Sequence, residues 1–284
     1  MGDLAVDTAV EGGSGSYSAS FSSDWNIWGP CGGYVAAVAM RAFGAHTDLR
    51  RPASFNCHFL GVAQFSEVDI RVRTLRKTKR AESMALTITQ DGNPILEAAA
   101  WAVGDVDGLN HEHFEMPDVP RPEQLKTFEE LLAEDPPDPD DPGPPFNFWS
   151  NFEEKPLQWV PREEWGTRPA GEPIFRHWAR FRPTAVFDDP FVEAGRQLVL
   201  LDVAMWPAAS RGYAQGSLTH IAPSLDLSAV FHQIDDVGEW LLIDGHSPAA
   251  RDGIVGGTGR VWSETGILLC SGVQSMLCRP ARRD

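Results

Sequence analysis

The sequence predicts an α+β fold of two tandem repeats, in each of which a curled antiparallel sheet wraps around one long apolar helix. The first observation is the run GGYVAAVAM at residues 32–40, which carries no charge and predicts a helix buried on nearly all sides. The second is a series of segments after this helix that alternate apolar and polar residues, as strands do. The third is an internal repeat: PASFNCHFL resembles APSLDLSAV, and QDGNPILEAAAWAV resembles SETGILLCSGVQSML, at a displacement of roughly 170 residues.

The first repeat is expected to span residues 17–105. Residues 1–16 precede it and are small and polar, GGSGS included, so we expect this segment to be disordered. The repeat begins with YSASF, whose period-two alternation predicts a strand. After the helix come the strand-like segments SFNCHFL and SEVDIRVRTLRKT, and then two strands joined by DGN at residues 91–93, which is a hairpin signal.

An acidic, proline-rich connector is expected at residues 106–172, before the second repeat at residues 173–284. Its run DPPDPDDPGPP cannot lie inside a sheet, because proline lacks the N–H that a central strand needs. The second repeat then follows the order of the first. HWARFRPTAVF predicts a strand, EAGRQLVLLDVAMW predicts a helix, and four further strand-like segments follow.

The composition excludes several functional classes. The 284 residues carry a formal net charge of −16, whereas a protein that binds nucleic acid needs surplus lysine and arginine to neutralise phosphates. No segment has the length of a membrane span or the pattern of a secretory leader, so we expect a cytoplasmic protein that does not insert into membranes. The four cysteines lack the Cys-x-x-Cys spacing of a zinc or redox site, and no metal or cofactor is expected.

The stretch WGPCGGYVAAVAMRA invites three interpretations. Its glycines do not match the spacing of nucleotide-binding loops and no lysine follows them, which disfavours a phosphate site. Cys31 as a nucleophile needs an imidazole that the sequence does not identify, and most cysteines are small buried apolar residues. The third interpretation is that the amides of Gly32 and Gly33, at a helix N-terminus, stabilise an oxyanion. A tight turn before a buried helix is compatible with this role.

Two further features carry unusual charge. Asp202 is the one carboxylate in the apolar run QLVLLDVAMW, and a buried carboxylate is costly unless it is hydrogen-bonded or paired. Such a residue is a candidate for function, and a purely structural hydrogen bond is the alternative. The stretch RVRTLRKTKR at residues 71–80 either protects an exposed strand or binds an anionic ligand. The basic residues that end this stretch are the candidates for such binding: Arg76, Lys77, Lys79 and Arg80.

Taken together, WGPCGGYVAAVAMRA, SFNCHFL, SLDLSAVFH and SGVQSMLCR resemble the TesB-like acyl-CoA thioesterases, which are double hotdog proteins. The resemblance covers both repeats and is weakest in the connector. It implies that Asp202, Ser224 and Gln274 hold a hydrolytic water, with Ser224 standing where the family has threonine and keeping its hydroxyl. Asn56 stands where many members carry a histidine, a departure that bears on substrate handling and rate.

The resemblance therefore implies an enzyme that hydrolyses acyl-CoA to a fatty acid and CoA without a covalent intermediate. Asp202 accepts a proton from the water, Ser224 and Gln274 orient it, and the basic stretch 71–80 meets the CoA phosphates. Two other functions stay open: a non-catalytic protein that binds acyl-CoA or lipid, which the departure at residue 56 leaves possible, and a hotdog enoyl-CoA hydratase. Because hotdog sheets have edges that must be paired or covered, a homo-oligomer is a further expectation.

Overall fold

The computed structural model describes residues 1–136, 146–164, 167–214 and 218–281, so most of the acidic proline-rich run lies outside the described residues. The helices are α1 (Leu4–Asp7), α2 (Gly32–His46), α3 (Phe128–Glu134) and α4 (Pro190–Arg211). The strands before the connector are β1 (Glu11–Gly13), β2 (Ser16–Ser20), β3 (Arg51–Phe59), β4 (Glu67–Lys77), β5 (Ala81–Gln90) and β6 (Asn93–Val103). The later strands are β7 (Phe152–Pro156), β8 (Ile174–Phe181), β9 (His220–Ile221), β10 (Asp226–Phe231), β11 (Leu241–Arg251), β12 (Ile254–Ser263), β13 (Leu268–Leu277) and β14 (Arg279–Pro280). None of the helices in the described ranges is both long and apolar enough to cross a membrane.

Most of the described strands form one sheet, in the order β1-β2-β4-β5-β6-β3-β10-β13-β12-β11-β8-β7. The order contains the same unit twice, because β2-β4-β5-β6-β3 corresponds to β8-β11-β12-β13-β10. In each unit the long helix follows the first strand along the chain. The units join through an antiparallel pairing of β3 and β10, in which Asn56 lies opposite Ser228. The predicted α+β architecture of two tandem repeats is confirmed.

The helices α2 and α4 cross closely and run antiparallel. A Cβ added at Gly33 would lie 2.7 Å from the Cα of Val199, and one added at Gly195 would lie 3.1 Å from the Cβ of Ala37. Small residues therefore set the distance between the two helices, and almost any side chain at these positions would push them apart. The close approach brings the N-terminus of α2 beside the middle of α4, which is where the candidate site lies.

The N-terminal segment is ordered, which differs from the disorder expected for residues 1–16. Leu4 is buried in the core, and the hydroxyl of Tyr34 donates to the carbonyl oxygen of Asp7 at 2.7 Å. The indole Nε1 of Trp25 donates to the carboxylate of the same aspartate at 2.9 Å. Further contacts hold the same segment, because the amide of Gly2 donates to Asn151 Oδ1 at 2.7 Å and the hydroxyl of Thr184 donates to Asp3 Oδ2 at 2.8 Å.

The part of the connector after the proline-rich run packs against both repeats. Phe148 is buried with its ring 6.1 Å from that of Trp25, and β7 adds an edge strand beside β8. Earlier connector residues, including Met116 and Leu125, cover Trp178 of β8 on the outer face of the sheet, within the second repeat. The connector is thus a structural part of the second repeat and also forms one side of the candidate site.

Candidate active site

Asp202 lies in the middle of α4 and faces the N-terminus of α2. Its Oδ2 accepts the amide of Gly33 at 2.7 Å, and the thiol of Cys31 lies 3.5 Å from the same oxygen. Its Oδ1 accepts the hydroxyl of Ser224 at 3.0 Å and also the side-chain amide of Gln274. Four neutral donors therefore surround the carboxylate, and no cation in the described ranges forms an ion pair with it.

The second repeat supplies two of these donors from neighbouring strands. Ser224 precedes β10 and bridges Met276, which places its hydroxyl beside β13. Gln274 lies on β13, and its Nε2 donates to the Ser224 hydroxyl at 2.9 Å. The Oε1 of Gln274 is buried and has no hydrogen-bond partner within the described part of the chain. An unsatisfied buried acceptor costs about 1–3 kcal/mol, so this oxygen is a natural position for a bound water.

The carboxylate opens onto the central cavity, a space of about 450 Å³ whose polar wall includes Cys31, Gly32, Asp202 and Ser224. The rest of the wall is mainly apolar, and its aromatic side chains come from four separate segments: Trp28, Phe59, Phe146, Trp149 and Trp206. These aromatic residues were not among the predicted site residues. The spacing from Asp202 to Trp206 is one helical turn and was an available signal, whereas nothing in the connector sequence indicated Phe146 or Trp149.

The structure disfavours Cys31 as a nucleophile. Burial, and then the charge of Asp202, raise the pKa of the Cys31 thiol well above its ordinary value, so the reactive thiolate does not form near neutral pH. No imidazole lines the central cavity in the described ranges. The thiol is instead a weak hydrogen-bond donor to the carboxylate.

The two glycine amides differ in what they can bind. The amide of Gly33 is occupied by Asp202, so the expectation that it serves an oxyanion is corrected. Gly32 lines the central cavity at the first position of α2, and its amide has no hydrogen-bond partner in the described ranges. A Cβ added there would lie 3.1 Å from Asp202 Oδ2 and 3.2 Å from the ring of Phe59. Glycine therefore leaves the approach to the carboxylate open.

Asn56 does not reach the central cavity, contrary to the expectation that it binds substrate. It is exposed on β3 between Phe55 and Cys57, which are buried. Since successive side chains of a strand point to opposite faces, Asn56 lies on the outer face of the sheet. The alternation of apolar residues in SFNCHFL already contained this information. The residues of β3 that face the helix are Phe55, Cys57 and Phe59, of which Phe59 lines the cavity.

The basic residues at the end of β4 are also not brought to the site. Lys77 pairs with Glu82 at 3.0 Å and with Asp48 at 3.2 Å, just beyond the C-terminus of α2. Gly32, at the other end of this 15-residue helix, touches Asp202. A helix of that length spans about 22 Å. None of the predicted binding residues in this stretch lines the central cavity: Arg76, Lys77, Lys79 and Arg80.

The arrangement suits the hydrolysis of an acyl compound. A carboxylate held by neutral donors can accept a proton, and a free amide at a helix N-terminus can polarise a carbonyl oxygen. No group of three or more His, Cys, Asp or Glu side chains is placed to hold a metal ion in the described ranges. The chemistry that these residues offer is therefore general base catalysis beside an apolar cavity.

Comparison with known proteins identifies the same two-part organisation. The family model described as the acyl-CoA thioesterase N-terminal domain matches residues 21–103, and that described as the acyl-CoA thioesterase C-terminal domain matches residues 128–278. A conserved protein of unknown function with a hot dog fold, from Alicyclobacillus acidocaldarius, aligns with a TM-score of 0.81 at 20% identity, over 99% of this chain and 100% of that chain. The tesB protein of Mycobacterium avium subs paratuberculosis aligns with a TM-score of 0.76 at 22% identity over 98% of each chain. Acyl-CoA thioesterase II TesB2 from Mycobacterium marinum aligns with a TM-score of 0.76 at 20% identity, over 98% of this chain and 99% of that chain. The fold is a double hotdog.

Proposed function

The chain belongs to the acyl-CoA thioesterase family, and we propose that it hydrolyses acyl-CoA to a carboxylic acid and CoA with Asp202 as the general base for water. The observation that carries this proposal is the position of the Asp202 carboxylate, which four neutral donors hold at the wall of a largely apolar cavity. Such a cavity accepts an acyl group and excludes bulk water, which strengthens the electrostatic interactions inside it.

The hydrolytic water is proposed to lie against Asp202, Ser224 and Gln274. The hydroxyl of Ser224 can both donate and accept, so it can orient a water as well as the carboxylate. The Oε1 of Gln274 is buried without a partner in the described ranges and can accept a hydrogen bond from the same water. Both groups stay neutral during the reaction, so they orient the water without competing with Asp202 for its proton.

The proposed reaction proceeds in two steps. Asp202 accepts a proton as the water oxygen attacks the thioester carbonyl carbon, and the carbonyl oxygen becomes an oxyanion near the amide of Gly32. The carbon–sulfur bond of the tetrahedral intermediate then breaks, and the CoA thiolate receives the proton that Asp202 had accepted. The carboxylic acid and the thiol leave, and the carboxylate is regenerated without a covalent acyl-enzyme.

The test is the release of free thiol from a series of acyl-CoA substrates by the wild-type protein and by Asp202→Asn. The amide keeps the shape of the side chain but cannot serve as the base, so kcat is expected to fall by about a hundredfold to ten-thousandfold. Asp91→Asn is the matched control: this exposed residue starts the β5–β6 hairpin turn at positive φ, a position that asparagine also favours. Equal rates for Asp202→Asn and the wild type would contradict the mechanism, and binding of acyl-CoA without thiol release would favour the non-catalytic function.

A further inference from the structure

The helix α4 is buried on all sides except along one strip. From Phe191 to Ala209 its half-buried residues are Asp202, Trp206 and Pro207, and the strip continues with Ser210 and Arg211 at the end of the helix. Asp202, Trp206 and Ser210 are spaced by one turn, as are Pro207 and Arg211, so the strip winds about half a turn around the helix between Asp202 and Arg211. The accessible strip thus begins at the proposed base and runs towards the helix C-terminus.

Residues of the strip line the central cavity and also a second space, which we call the side cavity. The side cavity has a volume of about 390 Å³, and its lining includes Trp159, Arg168, Phe175, Pro207, Ser210 and Arg211. Pro207 lines both cavities. The two cavities are therefore neighbours along α4.

Two arginines meet in the side cavity. Nη2 of Arg168 donates to the carbonyl oxygen of Tyr213 at 3.4 Å, which holds it at the end of α4 beside Arg211. The Arg211 guanidinium makes no ion pair or side-chain hydrogen bond with a described residue. Burial, and then the charge of Arg168, lower the pKa of Arg211. No carboxylate lines the side cavity in the described ranges. In a protein of net charge −16, two neighbouring arginines on a cavity wall that has no acidic residue in the described ranges favour the binding of an anion there.

The axial length of the strip is comparable to the length of the substrate arm in the proposed reaction. Asp202 and Arg211 are nine positions apart, which corresponds to about 14 Å of helix rise. The pantetheine arm of CoA is a chain of amide-linked units comparable to four extended residues, or about 14 Å. With a thioester at Asp202, an extended pantetheine arm therefore covers the axial distance to Arg211, and the long Arg211 side chain can cover part of the half turn around the helix.

We propose that the strip from Asp202 to Arg211 holds the pantetheine arm of CoA, and that Arg168 and Arg211 bind the phosphates of its nucleotide. Trp159 and Phe175 line the same side cavity and offer aromatic faces to the adenine ring. This inference rests on the proposed function for the position of the thioester. It replaces the predicted phosphate site at the end of β4 by one on the second repeat.

The experiment measures KM and kcat of Arg211→Ala with an acyl-CoA and with the same acyl group on N-acetylcysteamine, which lacks the nucleotide and its phosphates. KM for acyl-CoA is expected to rise about tenfold, as for loss of a charge-assisted hydrogen bond, with kcat little changed. KM for the short thioester is expected to stay the same. Arg211→Lys keeps the charge and is expected to recover part of the loss. Arg76→Ala is the matched control on the other basic stretch and is expected to leave both KM values unchanged.

Three results would overturn the inference: an unchanged KM for acyl-CoA in Arg211→Ala, an equal rise for both substrates, or the larger rise in Arg76→Ala. Calorimetric binding of CoA and of pantetheine to the wild type and to Arg211→Ala separates this inference from the proposed function. If no acyl-CoA is hydrolysed but CoA binds more weakly to Arg211→Ala while pantetheine does not, the site stands and the catalytic proposal fails. If Arg211→Ala binds CoA with the same affinity as the wild type, the proposed phosphate site is wrong, whether or not the protein hydrolyses acyl-CoA.

Discussion

The helices α2 and α4 occupy equivalent places in the two repeats, but only α4 buries charged side chains. The buried residues of α2, from Gly33 to Phe43, include no charged group. By contrast, α4 buries Glu193 and Arg196 and presents Asp202 to the central cavity. In the proposed mechanism, α2 serves as a backbone scaffold and α4 carries the general base.

The charged groups of α4 are stabilised in two different ways. Glu193 and Arg196 form an ion pair at 2.8 Å with side chains at most 1% exposed, and Arg196 also donates to the carbonyl oxygen of Gly238 at 3.0 Å. Asp202 has no such cation, because its donors are an amide, a thiol, a hydroxyl and a carboxamide. Glu193 therefore depends on the charge of Arg196, although burial still raises its pKa, whereas Asp202 is held by neutral groups alone.

The largest expected effect separates these two carboxylates. Glu193→Gln leaves the charge of Arg196 buried without its partner, and the free energy of unfolding is expected to fall by about 3–5 kcal/mol. Asp202→Asn turns one acceptor into a donor and is expected to lower the free energy of unfolding by less, about 1–3 kcal/mol, while activity is lost. Denaturant unfolding and thiol release, measured on both variants under conditions where both are folded, test the contrast. The contrast between the two carboxylates would be contradicted if Glu193→Gln were as stable as the wild type, or if Asp202→Asn were less stable than Glu193→Gln.

The second effect tests how the scaffold helix meets the catalytic one. Gly33→Ala places a Cβ 2.7 Å from the Cα of Val199 and 3.0 Å from the Cβ of Asp202. The helices must separate, so we expect a loss of about 3 kcal/mol in the free energy of unfolding together with a lower kcat. Gly13→Ala is the control, because an added Cβ meets no atom within 4 Å there. Equal stability of the two variants would show that the crossing is not tightly packed.

The buried helices and the single carboxylate of α4, Asp202, could be predicted because each is indicated by the residues of one short segment. A run without charge must be buried, and a single carboxylate within an apolar helix needs partners, so residues 32–40 and Asp202 were identifiable from one segment each. The resemblance pointed to Ser224 and Gln274, and the structure brings both to Asp202. The alternation of apolar residues along β3 also predicts that Asn56 lies on the outer face of the sheet. The expectation that Asn56 binds substrate came instead from the family histidine at that position.

The remaining features depend on long-range packing that no single segment encodes. The Gly33 amide binds Asp202 only because glycines let two helices cross at close distance. The basic end of β4 is far from the site because it lies beside the C-terminus of α2, whereas the N-terminus of that helix lies beside Asp202. The ordering of the N-terminal segment depends on hydrogen bonds to Tyr34 and Trp25, which follow it in the chain. Positions of this kind follow from the assembled fold.

A third effect extends the contrast between the halves to two carboxylates outside the site. Burial raises the pKa of Glu82, but hydrogen bonds from Thr74, Thr47 and Lys77 outweigh it and hold that pKa below its ordinary value. Burial, and then the charge of Glu129, raise the pKa of Glu154 on β7 to about 8. The two groups therefore give stability opposite dependences on pH. Glu82 contributes stability above its unfolded pKa that is lost as the pH falls, whereas Glu154 contributes stability at low pH that is lost as the pH rises towards 8.

Unfolding of Glu154→Gln and Glu82→Gln from about pH 6 to pH 9 tests these signs. Relative to the wild type, Glu154→Gln is expected to gain on the order of 2 kcal/mol as the pH rises through this range, because the wild type must ionise a buried carboxyl. Glu82→Gln is expected to be less stable than the wild type throughout. His177 pairs with Glu154, and burial lowers its pKa to about 3, so it stays neutral in the folded protein over this range. If the difference in the free energy of unfolding between Glu154→Gln and the wild type did not change with pH, Glu154 would already be ionised in the folded wild-type protein.

The smallest effect concerns the thiol that α2 presents to Asp202. Each oxygen of the carboxylate accepts two donors, so a water can bind to it only where one donor yields. The thiol of Cys31 is the weakest of the four, and it lies on the wall of the central cavity. Cys31→Ser replaces it with a stronger donor that competes with the water, and kcat is expected to fall about threefold. Cys31→Ala removes the competitor and is expected to match or exceed the wild-type kcat, with KM unchanged in both variants. If the alanine variant were slower than the serine variant, the thiol would be holding the carboxylate in place, and α2 would contribute more than a passive scaffold to the chemistry.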